Sequence, residues 1–494
     1  VAAALLLAAF SVWEAFPSPG QYQAGADEGV YYRQARALVE HGPLEGLRRN
    51  TREFLADPSR HVYPNPLRPL PALTNALGLA AADGYRTLSL LSLLWFLLTV
   101  AAVWGFARRL WGSPAAECAA VLVAFSPLGM AMAGRALIDS LTYLVTTLVL
   151  FTLLLVLERG GRGPLLAFAL AVLLLGLNRE TGILLYPFLL GALLLRGEDR
   201  PPGAPRREGV LALAAAGGAT LLVFLAVYGP ADLVRTLRAV VGANVANPGD
   251  YAVLYQSGPW QRSLVDLLLV SPLPLLLALL YAGAVVLSGE GGRKEWTVLA
   301  FAGWVVLVHS FLTKNLRYLV GLDLAVRLLA ALGLAAAVRR LADGRRRTAL
   351  LLAALLPLAG ADLTSHRFLF REKGIYDPVS HNLLLALRMV PGERAATSGE
   401  AGTAAADSPE ALLQESFLAH LAGNYRESLR LSREILRRQP DHAAAWNNVC
   451  AAHNSLEEWD RAVEACRRAA ELDPSSELAR NNLSWALRGR SGNQ

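Results

Sequence analysis

Long apolar runs separated by short charged clusters fill the chain to about residue 360, and beyond about residue 390 the pattern becomes that of a soluble helical domain. The runs lie near 1–16, 86–107, 115–132, 136–157, 164–178, 181–195, 209–228, 264–287, 296–312, 318–337 and 349–362. A helix that crosses a bilayer needs roughly 20 apolar residues. The pattern therefore predicts an all-α membrane protein of about eleven transmembrane helices, occupying residues 1–365, although several runs are short of that length. The pair 164–178 and 181–195, joined at Asn178-Arg179-Glu180, reads as a tight hairpin or a re-entrant pair.

Charge orients the spans. With the N-terminus inside, the connections on one side carry Arg108-Arg109, Arg159 with Arg162, Arg196 to Arg207, Arg293-Lys294 and Arg339 to Arg347. These loops are short, so the positive-inside rule places them in the cytoplasm of a bacterial inner (plasma) membrane. Segments 17–85 and 229–263, and everything after 362, then face outward. The opening VAAALLLAAFSVWEAF has neither Met nor a basic n-region. It is expected to be a retained first helix rather than a signal peptide, because the topology needs a cytoplasmic N-terminus. Segment 17–85 is too long for a plain connector. It predicts a helix over 29–40, between Asp27 and Gly42, then a Pro-rich stretch, with amphipathic pieces at the membrane interface.

Composition agrees with a membrane protein: 54% of the 494 residues are hydrophobic and 18% charged, against about a quarter charged in soluble domains. The net charge of +7 sits largely in the connecting loops. No basic stripe interleaved with aromatics appears, which argues against nucleic acid as a partner. The three cysteines (Cys118, Cys450, Cys466) lack metal-ligand spacing, and the eight histidines form no HExxH cluster.

Residues 409–490 repeat with a period of 34: Pro440 recurs as Pro474, Tyr425 as Trp459, and Asn447-Asn448 as Asn481-Asn482. The segment AAWNNVCAAHNSLEEWDRAVEACRRAAELDP resembles a tetratricopeptide repeat (TPR), with Trp446, Val449, Cys450, Ala462, Ala469 and Pro474 at the large, small and terminating positions. A third copy keeps only its first helix. The preceding 366–408 is expected to be a linker, small and polar over 391–408. Cys450 and Cys466 fall on facing helices and are expected to fill small core positions as free thiols, the alternative being a disulfide between them.

The candidate chemistry gathers on the outward side. The segments AGADEGVYYRQARALVEHG, PNPLRPLPALTNALG, SPLGMAMAGRALIDSLTYL, GLNRETGILLYPFLLGALLL and KNLRYLVGLDL follow one another there. Their order over residues 1–340 resembles the GT-C glycosyltransferases, in particular the bacterial relatives of protein O-mannosyltransferases and lipid A aminoarabinose transferases. That resemblance implies transfer of a sugar from a polyprenyl-phosphate carrier, usually with inversion, to an acceptor at the extracytoplasmic surface. An acceptor hydroxyl needs a carboxylate base, and the departing lipid phosphate needs cationic support.

Asp27 is the candidate base by this resemblance, with Glu28 beside it; the alternative for Asp27 is an N-cap of the helix from Gly29. Asp139 is a candidate second acid, or else the partner of Arg135 four residues earlier on one helix face. Lys314, Arg317 and Tyr318, with Arg135, are the candidates for the carrier phosphate; the alternative is interfacial anchoring. Arg179 and Glu180 are expected to pair with each other, and His61, Asn65 and Arg68 to line an acceptor groove. A divalent ion bridging Asp27 and Asp139 would have a thin ligand set, and no other cofactor is implied.

The TPR, outside the cytoplasm, would recruit a protein acceptor or partner, a role inferred from fold alone. Two other readings remain. One is a lipid or polysaccharide glycosyltransferase or oligosaccharide ligase, using Arg235, Arg238 and Arg262 of the 229–263 loop. The other is a transporter or non-catalytic scaffold, against which stand the surface placement of the charges and the absence of a repeat among the spans.

Overall fold

The structure, a computed structural model, describes residues 1–16, 27–56, 65–195, 206–241, 258–289, 291–312, 314–341, 343–372, 409–421, 425–474 and 476–492. The described residues are helical, with no strand among them. The chain divides into two compact units: Val1–Pro17 with Tyr31–Ser380, and Ser18–Val30 with His381–Gln494.

The first unit opens with α1 (Ala2–Glu14). Next come α2 (Asp27–His41), which starts in the other unit, α3 (Pro43–Ala56) and α4 (Pro69–Ala81). The apolar bundle follows: α5 (Tyr85–Leu110), α6 (Ala115–Ala124), α7 (Pro127–Ala133), α8 (Asp139–Arg159), α9 (Arg162–Asn178), a 3-10 turn Glu180–Leu185, α10 (Tyr186–Leu194) and α11 (Arg206–Val241). It closes with α12 (Arg262–Val270), α13 (Pro272–Ser288), α14 (Arg293–Phe311), a 3-10 turn Leu316–Leu319, α15 (Val320–Leu341) and α16 (Gly344–Ser365). A π-helical turn, His366–Glu372, extends α16 into the segment expected to be linker.

Five of the described helices are long and apolar enough to cross a membrane, or six if the bent pair α6 and α7 is one span. The chain is a multi-pass membrane protein, and among the described residues fewer helices reach full span length than the eleven runs suggest. The runs at 1–16, 164–178 and 181–195 form helices of 10–17 residues, and the run 264–287 is split into α12 and α13. The breaks have a common cause. Pro127 and Pro272 each stand at the start of a helix, and proline disfavours helical backbone in the residue before it. The chain therefore bends by 53° between α6 and α7 and interrupts at Ser271. A third break sits at Gly229 in α11, where φ is +74° and Pro230 follows. Arg48 of α3 donates to the carbonyls of Val227 (2.9 Å) and Ala226 (3.3 Å), satisfying the helix end that this break exposes.

Two helices form the centre. The apolar stretch of α8 is 94% buried and that of Leu316–Leu341 89%, against 22% for Arg207–Val241. A polar network ties them to their neighbours. Arg327 of α15, with no exposed surface, donates through Nε to both carboxylate oxygens of Asp323 (2.9 and 3.1 Å). Its Nη1 donates to Asp362 of α16 and to the Leu122 carbonyl, each at 2.7 Å, and its Nη2 to Ser271 at 3.1 Å. Ser271 donates in turn to Asp362 (2.8 Å). Ser126, at the α6–α7 bend, and Tyr143 of α8 both donate to Asp323 Oδ2 at 2.8 Å. The polar ends of both breaks thus become part of the packing.

The basic connections meet at one end of the bundle. Arg159 donates to the Arg109 carbonyl, Arg293 to that of Leu157 and Lys294 to that of Leu110. Helix α8 runs 21 residues from Asp139 to that end, about 31 Å at 1.5 Å per residue and enough for a hydrocarbon core.

In the second unit, α17 (Pro409–Leu421), α18 (Tyr425–Arg438), α19 (Ala443–Ser455), α20 (Trp459–Leu472) and α21 (Glu477–Gly492) pack in sequence order. The odd helices begin at 409, 443 and 477 and the even ones at 425 and 459, each step being 34 residues. Small side chains fill the interface of α19 and α20, among them Ala452, Ala462 and Ala465. Cys450 and Cys466, expected to be free thiols, are instead joined as a disulfide with Cα atoms 4.9 Å apart. Two small residues that let helices cross closely also bring their Cβ atoms within bridging range.

The loop closed by this bridge spans 16 residues, for which chain-entropy estimates give about 3 kcal/mol. The Cys450→Ala/Cys466→Ala variant should lose protection of α17–α21 against limited proteolysis while α8 and α15 stay protected. Equal protection before and after the change would show that the bridge contributes little.

Candidate active site

At the end of α8 opposite the basic connections, five charged side chains converge. Arg68 caps the start of α4 and is buried. It grips Glu180 in bidentate fashion, Nε to Oε2 at 2.7 Å and Nη2 to Oε1 at 2.6 Å, and donates through Nη1 to the Tyr31 hydroxyl at 2.7 Å. Parallel N–H donors of this kind fix orientation as well as distance. Asp139, the first residue of α8 and 2% exposed, faces Arg179 Nη1 at 3.3 Å and Arg317 Nη1 at 4.0 Å. The Arg179 guanidinium lies 4.2 Å from the Tyr318 ring centroid. These contacts join three arginines to two carboxylates.

The short elements that hold these groups are locally determined. Asn315 accepts from the Arg317 backbone N–H at 2.9 Å and so caps the 3-10 turn that carries Arg317 and Tyr318. Asn178, at the end of α9, donates to Thr142 of α8 (2.9 Å) and fixes the approach of the Arg179-Glu180 step. Beside the cluster, Arg179 and Tyr318 form the polar end of a cavity of about 80 Å³ whose other walls include Leu175, Phe301, Val305 and Val320. Among the described residues no three His, Cys, Asp or Glu side chains come together as a metal site.

The sequence candidates fare unequally. Asp139, Arg317, Tyr318 and Arg68 are brought together. Arg179 and Glu180 do not pair with each other as expected; each finds a partner from a distant helix. Arg135 precedes α8, in a bend rather than a helix, so the helical spacing that would have aligned it with Asp139 does not apply. Lys314 donates to three carbonyls, those of His309, Ser310 and Leu312, at 2.7–2.8 Å, and thereby caps the end of α14. Asn65 accepts from the Leu67 N–H (2.9 Å) in a local turn. His61 lies outside the described residues. Asp27 and Glu28 form the first turn of α2, so Asp27 begins that helix two residues before the expected Gly29 start; Glu28 is buried. Both belong to the unit with residues 381–494, and the arginine cluster to the other.

Residues 69–227 match the dolichyl-phosphate-mannose-protein mannosyltransferase family. No curated protein matches the chain. Among solved structures, ArnT from Cupriavidus metallidurans bound to undecaprenyl phosphate superposes with a TM-score of 0.55 at 16% identity, over 98% of this chain and 84% of that one. Apo ArnT from the same organism gives 0.50 at 17% identity, over 98% and 83%. The chain has the ArnT fold.

Burial by itself would raise the Glu180 carboxyl, but the adjoining Arg68 guanidinium reverses this and holds it at about 2, against an ordinary 4.5. A group depressed in the folded state stabilises fully above its ordinary value and loses that contribution as pH falls through the folded one. Wild type should therefore melt above Glu180→Gln at neutral pH, with a gap that shrinks below about pH 4.5 and closes near 2. Melting in detergent across a pH series checks this; a gap indifferent to acid would rule out the Arg68–Glu180 pair as its source.

Proposed function

We propose that the protein is a GT-C glycosyltransferase that takes a sugar from a polyprenyl-phosphate carrier and passes it to an acceptor at the extracytoplasmic membrane surface. The observation that carries this reading is the cationic cluster of Arg68, Arg179 and Arg317 beside an apolar cavity at one end of the central helices. A lipid phosphate needs both: guanidinium donors for its oxygens and a hydrocarbon wall for its first isoprene units. The mannosyltransferase family matched by residues 69–227 is named for dolichyl-phosphate-mannose, and one ArnT structure holds undecaprenyl phosphate. Both are polyprenyl phosphates, which supports the same donor class here.

In this mechanism Asp27, with Glu28 beside it, accepts the proton of the acceptor hydroxyl. The oxygen attacks the anomeric carbon, the bond from that carbon to the phosphate oxygen breaks, and the phosphate leaves as an anion. Arg317, Arg179, Tyr318 and Arg135 stabilise that anion, a task better suited to fixed cations than to a general acid. Asp139 holds Arg179 and Arg317 in place. Lys314 fixes the end of α14 that leads into the turn presenting Arg317.

The 34-residue helical register of the second unit supports a TPR module. Its disulfide fits an oxidising, extracytoplasmic compartment. The module recruits a protein, which favours a protein hydroxyl as acceptor over a lipid or polysaccharide. Deleting residues 391–494 should abolish transfer to protein while sparing transfer to a small soluble acceptor; unchanged protein glycosylation would favour the lipid or polysaccharide reading.

Asp27→Asn should lower turnover by about 10²- to 10⁴-fold, the usual worth of a general base, with carrier binding retained. The check is transfer of sugar from a polyprenyl-phosphate donor in reconstituted membranes, and full activity in the variant would eliminate Asp27 as the base.

A further inference from the structure

A second set of polar groups lies beneath the cluster, and the proposed chemistry does not use it. Tyr143 is four residues after Asp139 on α8, and Asp323 is four residues after Leu319, the last residue of the turn that carries Arg317. Four residues advance a helix by about 6 Å and return to nearly the same face. The Tyr143–Asp323 bond, 2.8 Å long and fully buried, thus crosses from α8 to α15 one turn below the place where Asp139 meets Arg317.

The network has two halves that differ in what they touch. Its near half, Tyr143 and Ser126 on Asp323, joins the two helices that carry Asp139 and Arg317. Its far half, Ser271 and Asp362 on Arg327, joins α15 to α16 and to the break before α13, neither of which contributes to the cluster. Both halves are buried and hydrogen-bonded: the Tyr143 hydroxyl donates once, to Asp323, whereas that of Ser271 donates to Asp362 and accepts from Arg327, so its loss removes two bonds.

We propose that Tyr143 and Asp323 are positioning residues: their bond sets α15 against α8, and with it the approach of Arg317 to Asp139 and of Tyr318 to Arg179. Only its ligand-binding arm rests on the carrier reading above. The register of two buried helices is fixed by specific contacts because apolar surfaces alone slide at little cost in a bilayer, where lipid tails are as apolar as the helix faces. A shift of a fraction of an ångström at Asp323 carries directly into the adjoining turn.

The test compares Tyr143→Phe, which keeps the ring and removes one hydroxyl, with Ser271→Ala in the far half, using the full chain in detergent. Melting temperature, amide hydrogen exchange over Leu316–Leu319 and binding of undecaprenyl phosphate are measured on each. Both variants should melt lower, Ser271→Ala by at least as much as Tyr143→Phe. Tyr143→Phe should also speed exchange at 316–319 and weaken undecaprenyl phosphate about tenfold, the worth of about one hydrogen bond. Ser271→Ala should change neither. Parallel changes in both variants, in proportion to their melting shifts, would overturn the proposal, as would wild-type exchange in Tyr143→Phe. If Tyr143→Phe does not fold, Asp323→Asn, which keeps the shape of the side chain, is judged by the same comparison. Failure of wild type itself to bind undecaprenyl phosphate would count against the carrier reading, and the exchange comparison would still decide this one.

Discussion

Arg327 imposes the severest demand in the molecule. A guanidinium with no exposed surface, inside a bundle that lipid surrounds, must have every donor satisfied by protein. Two carboxylates, a serine hydroxyl and a backbone carbonyl meet that demand. Removing any one would leave a buried charge short of partners, which costs several kcal/mol in typical proteins. The partners come from α15, α16, the α6 backbone and the α12–α13 break, with Ser126 and Tyr143 reaching in through Asp323. The bundle is therefore closed around a specified polar centre, whereas apolar helix faces in lipid would have left many packings of similar energy.

The charged cluster at the end of α8 depends on that closure. Its members lie far apart in sequence: Arg68 and Glu180 are 112 residues apart, and Asp139 and Arg179 are 40. Each carboxylate is occupied by guanidinium, and Arg68 and Arg179 are aimed by side-chain hydrogen bonds. The adjoining cavity adds an apolar wall on the same helices.

The second unit uses different means. Its helices are built on small residues, with serines 416, 428 and 432 sharing hydrogen bonds where a larger protein would place aliphatic side chains. Two and a half helical repeats bury little apolar surface, and repeat arrays gain stability mainly from neighbours. A covalent bridge within the central pair compensates for a short array by restricting its unfolded ensemble.

By itself the sequence determined what depends on neighbours along the chain. Apolar runs marked the bundle, clustered arginines marked one end of it, and the 34-residue recurrence set the register of the last five helices, whereas the breaks before Pro127 and Pro272 fall inside runs read as continuous. The outward clustering of Asp139, Arg317 and Tyr318 was also readable, since charges in an apolar chain stand out. By the same signal, Asp323 and Arg327 within an apolar run could have been singled out. Only the tertiary structure decided partners. Arg179 and Glu180 are adjacent, but they pair with Asp139 and Arg68; Lys314 turned to carbonyls; and two cysteines became a disulfide. Periodicity is a property of one segment, whereas the partner of a charge is set by which helix ends packing brings within a few ångströms.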